Sequence, residues 1–292
     1  NPTALPLVIE VRDGLYAENL RITTPISGAP LTLRAAPGSW PVISGSGGSS
    51  TNALSIEASD VTVSGFTFVG TAQRGIMVTS PRVAIDHNFF TADFSIWNAD
   101  QFFRGTGVLL IGAGTDGATI SNNTFYDCQD SIEILDAPVA GNAVALRNNI
   151  FVQLTQNRPD YEPILWFKPS VAHYALDSNY NLFYYTGSEC MVWDNTLGPI
   201  LTLAVWNSQG HDLAGIGTTV DPQLFDPANR DFHERSIGGR YRPGTGWVND
   251  AVNSPAIDQG DPAASVGAET SPNGGVINLG GYGGTAQASR SP

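Results

Sequence analysis

A chain of 292 residues can bury a substantial apolar core in one large domain. With 41% hydrophobic and 14% charged residues, 32 Gly and 19 Pro, it suits many short strands separated by turns and disfavours long surface helices. A net charge of -13, set against a single lysine at Lys168, leaves little from which to build a phosphate-binding face, so nucleic acid is excluded as an expected partner.

No stretch reaches the roughly 18 apolar residues that cross a bilayer, so a soluble chain is expected. The opening NPTALPLVIEV enters a strand almost at once and reads as the start of a processed piece of a longer precursor.

In chain order, VIEVRDGLYAENLRI (8–22) and PLTLRAAPGSWPVISG (30–45) carry strands broken by Gly and Pro turns and predict one or two opening coils over 1–53. From 54 to 194 a loose internal repeat follows, reading apolar, polar, apolar, Asn, then aromatic: AIDHNFF to Phe90, TISNNTF to Phe125, ALRNNIF to Phe151 and SNYNLF to Phe183. In each, an Asn stands two places before the Phe. These are Asn88, Asn123, Asn149 and Asn181, at intervals of 35, 26 and 32. VTVSGFTF is a degenerate earlier copy, with Phe68 in the aromatic place and Phe66 where Asn would stand.

A period of this length without helical stretches predicts a solenoid of about three short strands per coil. Stacking at the strand spacing of about 4.8 Å would then put the Phe side chains in an inward column and let the Asn amides bond up the stack. A structural ladder is therefore the expected role of the four Asn, since a buried amide is costly only when it lacks partners. Before each copy lies another strand, LSIEA, GIMVT, GVLLIG, SIEILD or PILWFK, and these should form one parallel sheet. From 195 to 292 the pattern decays into Gly, Pro and Asp-rich stretches that predict terminal coils and irregular loops closing the lower end.

The D-G-x-Y turn within VIEVRDGLYAENLRI, followed by PLTLRAAPG, resembles the first coils of β-helical polysaccharide lyases and their relatives. VDPQLFDPANRDFH, GRYRPGTGWVNDAVNSPAIDQGDP and SPNGGVINLGGYGGTAQAS are similar to the terminal region of secreted bacterial and archaeal parallel β-helix repeat proteins. The resemblance implies an all-β, right-handed parallel β-helix forming a single domain with an irregular C-terminal region. It also implies a secreted or cell-surface setting; extracellular polysaccharide is the expected partner and a monomer the expected state. One activity does not follow, because function separates readily from such a scaffold.

Lyases on this scaffold need a base beside a uronate carboxylate and a cation to stabilise the developing charge. Alternation puts Trp166 and Lys168 on one face of PILWFK and Glu133 outward on the preceding coil. The functional reading makes Lys168 the proton acceptor, Arg104 or Arg158 the partner of a substrate carboxylate, and Asp130, Glu133 and Asp136 a calcium-side set. The structural reading makes Glu133 and Lys168 an ordinary cross-coil ion pair. Trp97, Phe102, Phe103, Tyr161, Trp166 and Trp193 read either as a sugar-binding groove or as loop cover.

A glycoside hydrolase would draw its paired carboxylates from Asp127, Asp130, Glu133 and Asp136. QGHDL around His211 is not the G-H-G element of β-helical polygalacturonases. His87, His173, His211 and His233 lack zinc-site spacing. Asp258, Asp261 and Glu269 read as a structural calcium set or as caps of Gly-rich turns. Coil stacking places Cys128 and Cys190 about 10 Å apart, beyond the limit of about 7 Å for a disulfide, so unpaired thiols are expected.

Overall fold

A computed structural model describes residues 5–23, 29–46, 48–70, 72–92, 105–135, 143–154, 163–168, 175–186 and 191–292. Each coil contributes one strand to each of three parallel sheets, so strand n in a sheet pairs with the strand one coil later. The first sheet stacks Leu7–Val11, Leu31–Ala35, Val61–Ser64, Ala84–Asp86, Thr119–Ser121, Val144–Arg147 and Leu176–Asn179. The second stacks Leu15–Tyr16, Val42–Ile43, Thr67–Gly70, Phe89–Ala92, Thr124–Tyr126, Ile150–Gln153 and Leu182–Tyr185. In the third, Leu20–Ile22, Gly48–Ile56, Ala72–Val78, Thr106–Ile111, Ile132–Leu135, Leu165–Lys168 and Val192–Asp194 are parallel, and Gly198–Ile200 returns antiparallel at the lower edge. This is the right-handed parallel β-helix that the repeat and the resemblance imply, and the five strands assigned to one sheet do share the third.

The repeat works as its spacing requires. Phe68, Phe90, Phe125, Phe151 and Phe183 are in register on successive coils. Their rings stack at centroid distances of 5.0, 4.6, 5.1 and 5.1 Å. Burial of each ring contributes about 1.5–3 kcal/mol, and each stacked pair about 0.5–1.5 kcal/mol more.

Beside this column the Asn amides bond from rung to rung. The Oδ1 of Asn123 accepts from both the backbone N and Nδ2 of Asn88, at 2.9 and 3.2 Å. Asn149 serves Asn123, and Asn181 serves Asn149, in the same way. Each Nδ2 also donates to a carbonyl of the first sheet, for instance Asn123 to Ile85 at 2.8 Å. Phe66 fills the uppermost rung and donates its backbone N to Asn88 Oδ1 at 3.0 Å.

The residue before each rung turns the chain from the first sheet to the second in the left-handed region. Gly65 has φ 84°, and His87, Asn122, Asn148 and Tyr180 have φ 55, 51, 56 and 56°. Gly and Asn tolerate that conformation, while His and Tyr adopt it at a cost that the ladder has to offset.

The lower end is closed by residues 195–218. Thr202 caps the short helix Leu203–Ser208, which drives Trp206 into the core against Phe167, with ring centroids 5.9 Å apart. Ile216 then bridges Leu182 in parallel.

The remaining chain turns back along the outside of the second sheet as an irregular strap. Its contacts span more than a hundred residues of sequence. Asp261 N donates to Asn148 Oδ1 at 2.8 Å, Gly281 N to Thr124 Oγ1 at 3.0 Å, and Asn122 Nδ2 to Asn278 O at 3.2 Å. Phe232 and Tyr282 cover Phe89, and Tyr282 reaches Trp40 in the opening coils. A second apolar cluster results, joining Phe89, Ile150, Val152 and Leu182 to Leu224, Phe232, Leu279 and Tyr282.

Candidate functional site

On the third sheet the inward residues, among them Ile134, Leu165, Phe167 and Val192, belong to the main core. Alternation sends their neighbours outward. Register then aligns Leu109, Glu133, Trp166 and Trp193 on successive coils, with Leu135 beside Lys168. The nearest coil neighbour of Lys168 is thus a Leu, and its ammonium reaches diagonally to donate to Glu133 Oε1 at 2.6 Å. It also sits 3.4 Å from the centre of the Trp166 ring.

Asn195 Oδ1 accepts from both indoles, from Trp193 Nε1 at 2.9 Å and Trp166 Nε1 at 3.4 Å. One side-chain carbonyl therefore fixes two tryptophans side by side. The Glu133 side chain is 10% exposed and that of Lys168 30%, so the carboxylate is the more enclosed partner.

The arrangement offers a cation, a carboxylate and two oriented aromatic side chains across three successive coils. Sequence reasoning had Glu133, Lys168, Trp166 and Trp193 but not Asn195, whose signal was its place two residues after Trp193. Trp97, Phe102, Phe103, Arg104, Asp136, Arg158 and Tyr161 lie outside the described residues. Asp130 is buried one coil corner before Glu133. No three Asp, Glu, His or Cys side chains converge as metal ligands among the described residues.

The other candidates have separate settings. Asp127 Oδ1 accepts from Leu154 N on the next coil at 3.0 Å. Among the histidines, His87 pairs with Asp86, His233 pairs with Asp231 and stacks on Tyr282, and His211 stacks on Trp206 at 4.2 Å, where burial pushes its pKa down. His173 and Cys190 lie outside the described residues, and Cys128 is buried.

In the strap, Asp258 Oδ1 accepts from Ser291 Oγ, and Asp261 caps Ala263 N and faces Arg147 at 3.6 Å. Glu269 Oε1 accepts from the backbone N of Asn278 and of Gly284, both at 2.8 Å. Glu234 is fully buried, and desolvation pushes its carboxyl up to about 8.

No helix among the described residues is long and apolar enough to cross a membrane. Residues 204–260 match the family described as Disaggregatase related. No curated protein matches the chain. Among solved structures the chain is similar to a PL6 alginate lyase in complex with a trisaccharide, at 17% identity and a TM-score of 0.46 over 64% of this chain. The matched part spans 41% of that structure.

Proposed function

We propose that this β-helix engages an extracellular, uronate-containing polysaccharide on the outer face of its third sheet and cleaves it by β-elimination. The observation that carries the reading is the position of Lys168, 2.6 Å from Glu133 and 3.4 Å from the ring centre of Trp166, with Trp193 aligned one coil below. Pyranose rings pack their C–H faces on indoles, and the lone lysine supplies a cation for a carboxylate.

In the cleavage step a base removes the proton beside the uronate carboxylate. The electron pair forms the C4–C5 double bond, the bond from C4 to the bridging oxygen breaks, and that oxygen leaves with a proton taken from water. Lys168 in its neutral form serves as that base. Arg104 or Arg158 pairs with the substrate carboxylate, while Trp97, Phe103 and Tyr161 extend the aromatic contact. Asp130, Glu133 and Asp136 would hold the calcium of this reading, which would supply positive charge beside the substrate carboxylate, and secretion goes with such a substrate.

The test is incubation with a panel of uronate polymers, with and without Ca2+, followed by ultraviolet absorbance of unsaturated ends. Lys168→Ala should abolish turnover while Trp193→Ala weakens binding. Neither product nor retention of the chain in polymer-containing gels would reject the reading. A second reading, binding without turnover, is favoured by the contact between the Lys168 ammonium and Glu133, which occupies the would-be base. Retention in gels that survives Lys168→Ala, with no unsaturated product, would select it.

A further inference from the structure

Each indole carries one polar group, the Nε1–H, and that group can only donate. In the pair Trp166 and Trp193 both of these donors end on Asn195 Oδ1, at 3.4 and 2.9 Å. A carbonyl oxygen has two lone pairs, so two donors fill it. The two indoles therefore hold out no N–H to a ligand.

The tether is itself held. Asn195 is exposed in a turn that Asp194 builds, where Asp194 Oδ1 accepts from Thr196 N at 2.7 Å and from Leu197 N at 3.0 Å. Asp194 is 1% exposed, so the anchor of the turn is buried. Trp193 follows Trp166 in register on the next coil, which sets their backbones apart by the strand spacing of about 4.8 Å, and both side chains are half-buried on the outward face. An indole in that position can change rotamer unless a partner stops it. Here one oxygen stops both.

We propose that Asn195 is the positioning residue of a stacking subsite, which takes the C–H face of a pyranose ring and reads no hydroxyl through its indoles. The ligand class follows from that chemistry. A chain of equatorially substituted pyranoses turns axial C–H bonds towards each face and so presents the apolar surface that an indole packs against. Charge is no requirement of such a contact. A uronate and a neutral sugar bind these indoles alike, and a carboxylate is sensed at Lys168, whose ammonium lies 3.4 Å from the Trp166 ring centre. The inference rests on the reading of this face as a polysaccharide site and extends it from uronate polymers to uncharged ones.

The test uses the whole chain with cellopentaose, a neutral β-1,4-linked oligosaccharide, as the probe. Binding is followed by tryptophan fluorescence, and the tether by the indole N–H resonances in nuclear magnetic resonance spectra, assigned with Trp166→Phe and Trp193→Phe. Wild type should bind, and raising NaCl from about 0.05 to about 1 M should not weaken it, because no charge pairing is involved. Asn195→Ala should weaken binding about 5-fold and leave the thermal midpoint in place. It should also speed hydrogen exchange of both indole N–H groups by about 10-fold or more. Asn195→Asp, which keeps an acceptor oxygen, should restore both affinity and slow exchange. Cellopentaose left unbound by wild type up to about 10 mM, or bound as tightly by Asn195→Ala as by wild type, overturns the inference. Cellopentaose binding without unsaturated product from any uronate polymer supports the subsite and rejects elimination, and product without cellopentaose binding does the reverse.

Discussion

Asn181 donates from both its backbone N and its Nδ2 to a single oxygen of Asp212, at 3.3 and 2.8 Å. Asp212 is thus the last rung of the amide ladder, and its chemistry differs from the others because of what lies on its far side. There Oδ2 accepts from Trp206 Nε1 at 3.0 Å and from Ser178 Oγ. The N–H groups of Asn181 and Trp206 can only donate, and a protonated carboxyl still accepts on both oxygens while its O–H turns to Ser178 Oγ, whereas the NH2 of an amide accepts nothing in either orientation. Asp212→Asn should cost about 1–3 kcal/mol near pH 4, measured by urea denaturation.

The same residue gives a pH dependence. Burial pushes the Asp212 carboxyl above its ordinary 3.8, against the pull of four hydrogen bonds. The folded state therefore holds the proton more tightly than the unfolded chain. Its stabilisation is full below 3.8 and is lost as pH rises through the folded-state value. The advantage of wild type over Asp212→Asn should shrink on going from pH 4 to pH 8, and an advantage that grows with pH would contradict this origin.

Phe125 stands at the middle of the aromatic column, fully buried between Phe90 and Phe151. Phe125→Ala removes two stacked contacts and leaves a cavity that rigid strands above and below cannot close. A loss of about 3–5 kcal/mol is expected from the denaturation midpoint. Phe125→Leu should recover much of it by refilling volume.

Glu133 and Lys168 differ in exposure, and the cost of breaking their pair should differ accordingly. Lys168→Met strands the more enclosed carboxylate, while Glu133→Gln leaves an ammonium that can turn to water. Lys168→Met should therefore be the more destabilising change. A double-mutant cycle in urea should return a coupling of about 1 kcal/mol.

The strap lies flat because its glycines permit close approach. A Cβ on Gly281 would come within 2.5 Å of the Phe89 ring, and one on Gly283 within 2.7 Å of Asn122 Nδ2. Gly283→Ala should detach the strap without unwinding the coils. Limited proteolysis should then cut beyond residue 219 while the β-sheet circular dichroism signal persists.

The coils were legible because each column repeats a residue type, so Phe68 to Phe183 and Asn88 to Asn181 announce their shared place. Asp212 escaped notice because it breaks the Asn-x-Phe wording, although its interval of 31 from Asn181 fits the series. The pairing of Glu133 with Lys168 followed from alternation and strand order. The strap's placement was hidden for a different reason. Asn122 meets Asn278 across 156 positions, and Thr124 meets Gly281 across 157, with no period to align them. Glu234 was equally invisible, since one Glu within DFHE gives no sign that both its oxygens are enclosed.

The strap's course over the second sheet sets an order of assembly. Its docking surface is composed of Phe89, Ile150 and Leu182, which come from three different coils and exist as one stripe only after those coils have stacked. During synthesis the spiral must therefore pass through a stage in which this greasy seam is bare, and the last seventy or so residues act as a zipper drawn upward at the end. A ribosome stalling short of Tyr282 would release a chain whose backbone is wound but whose flank still invites aggregation.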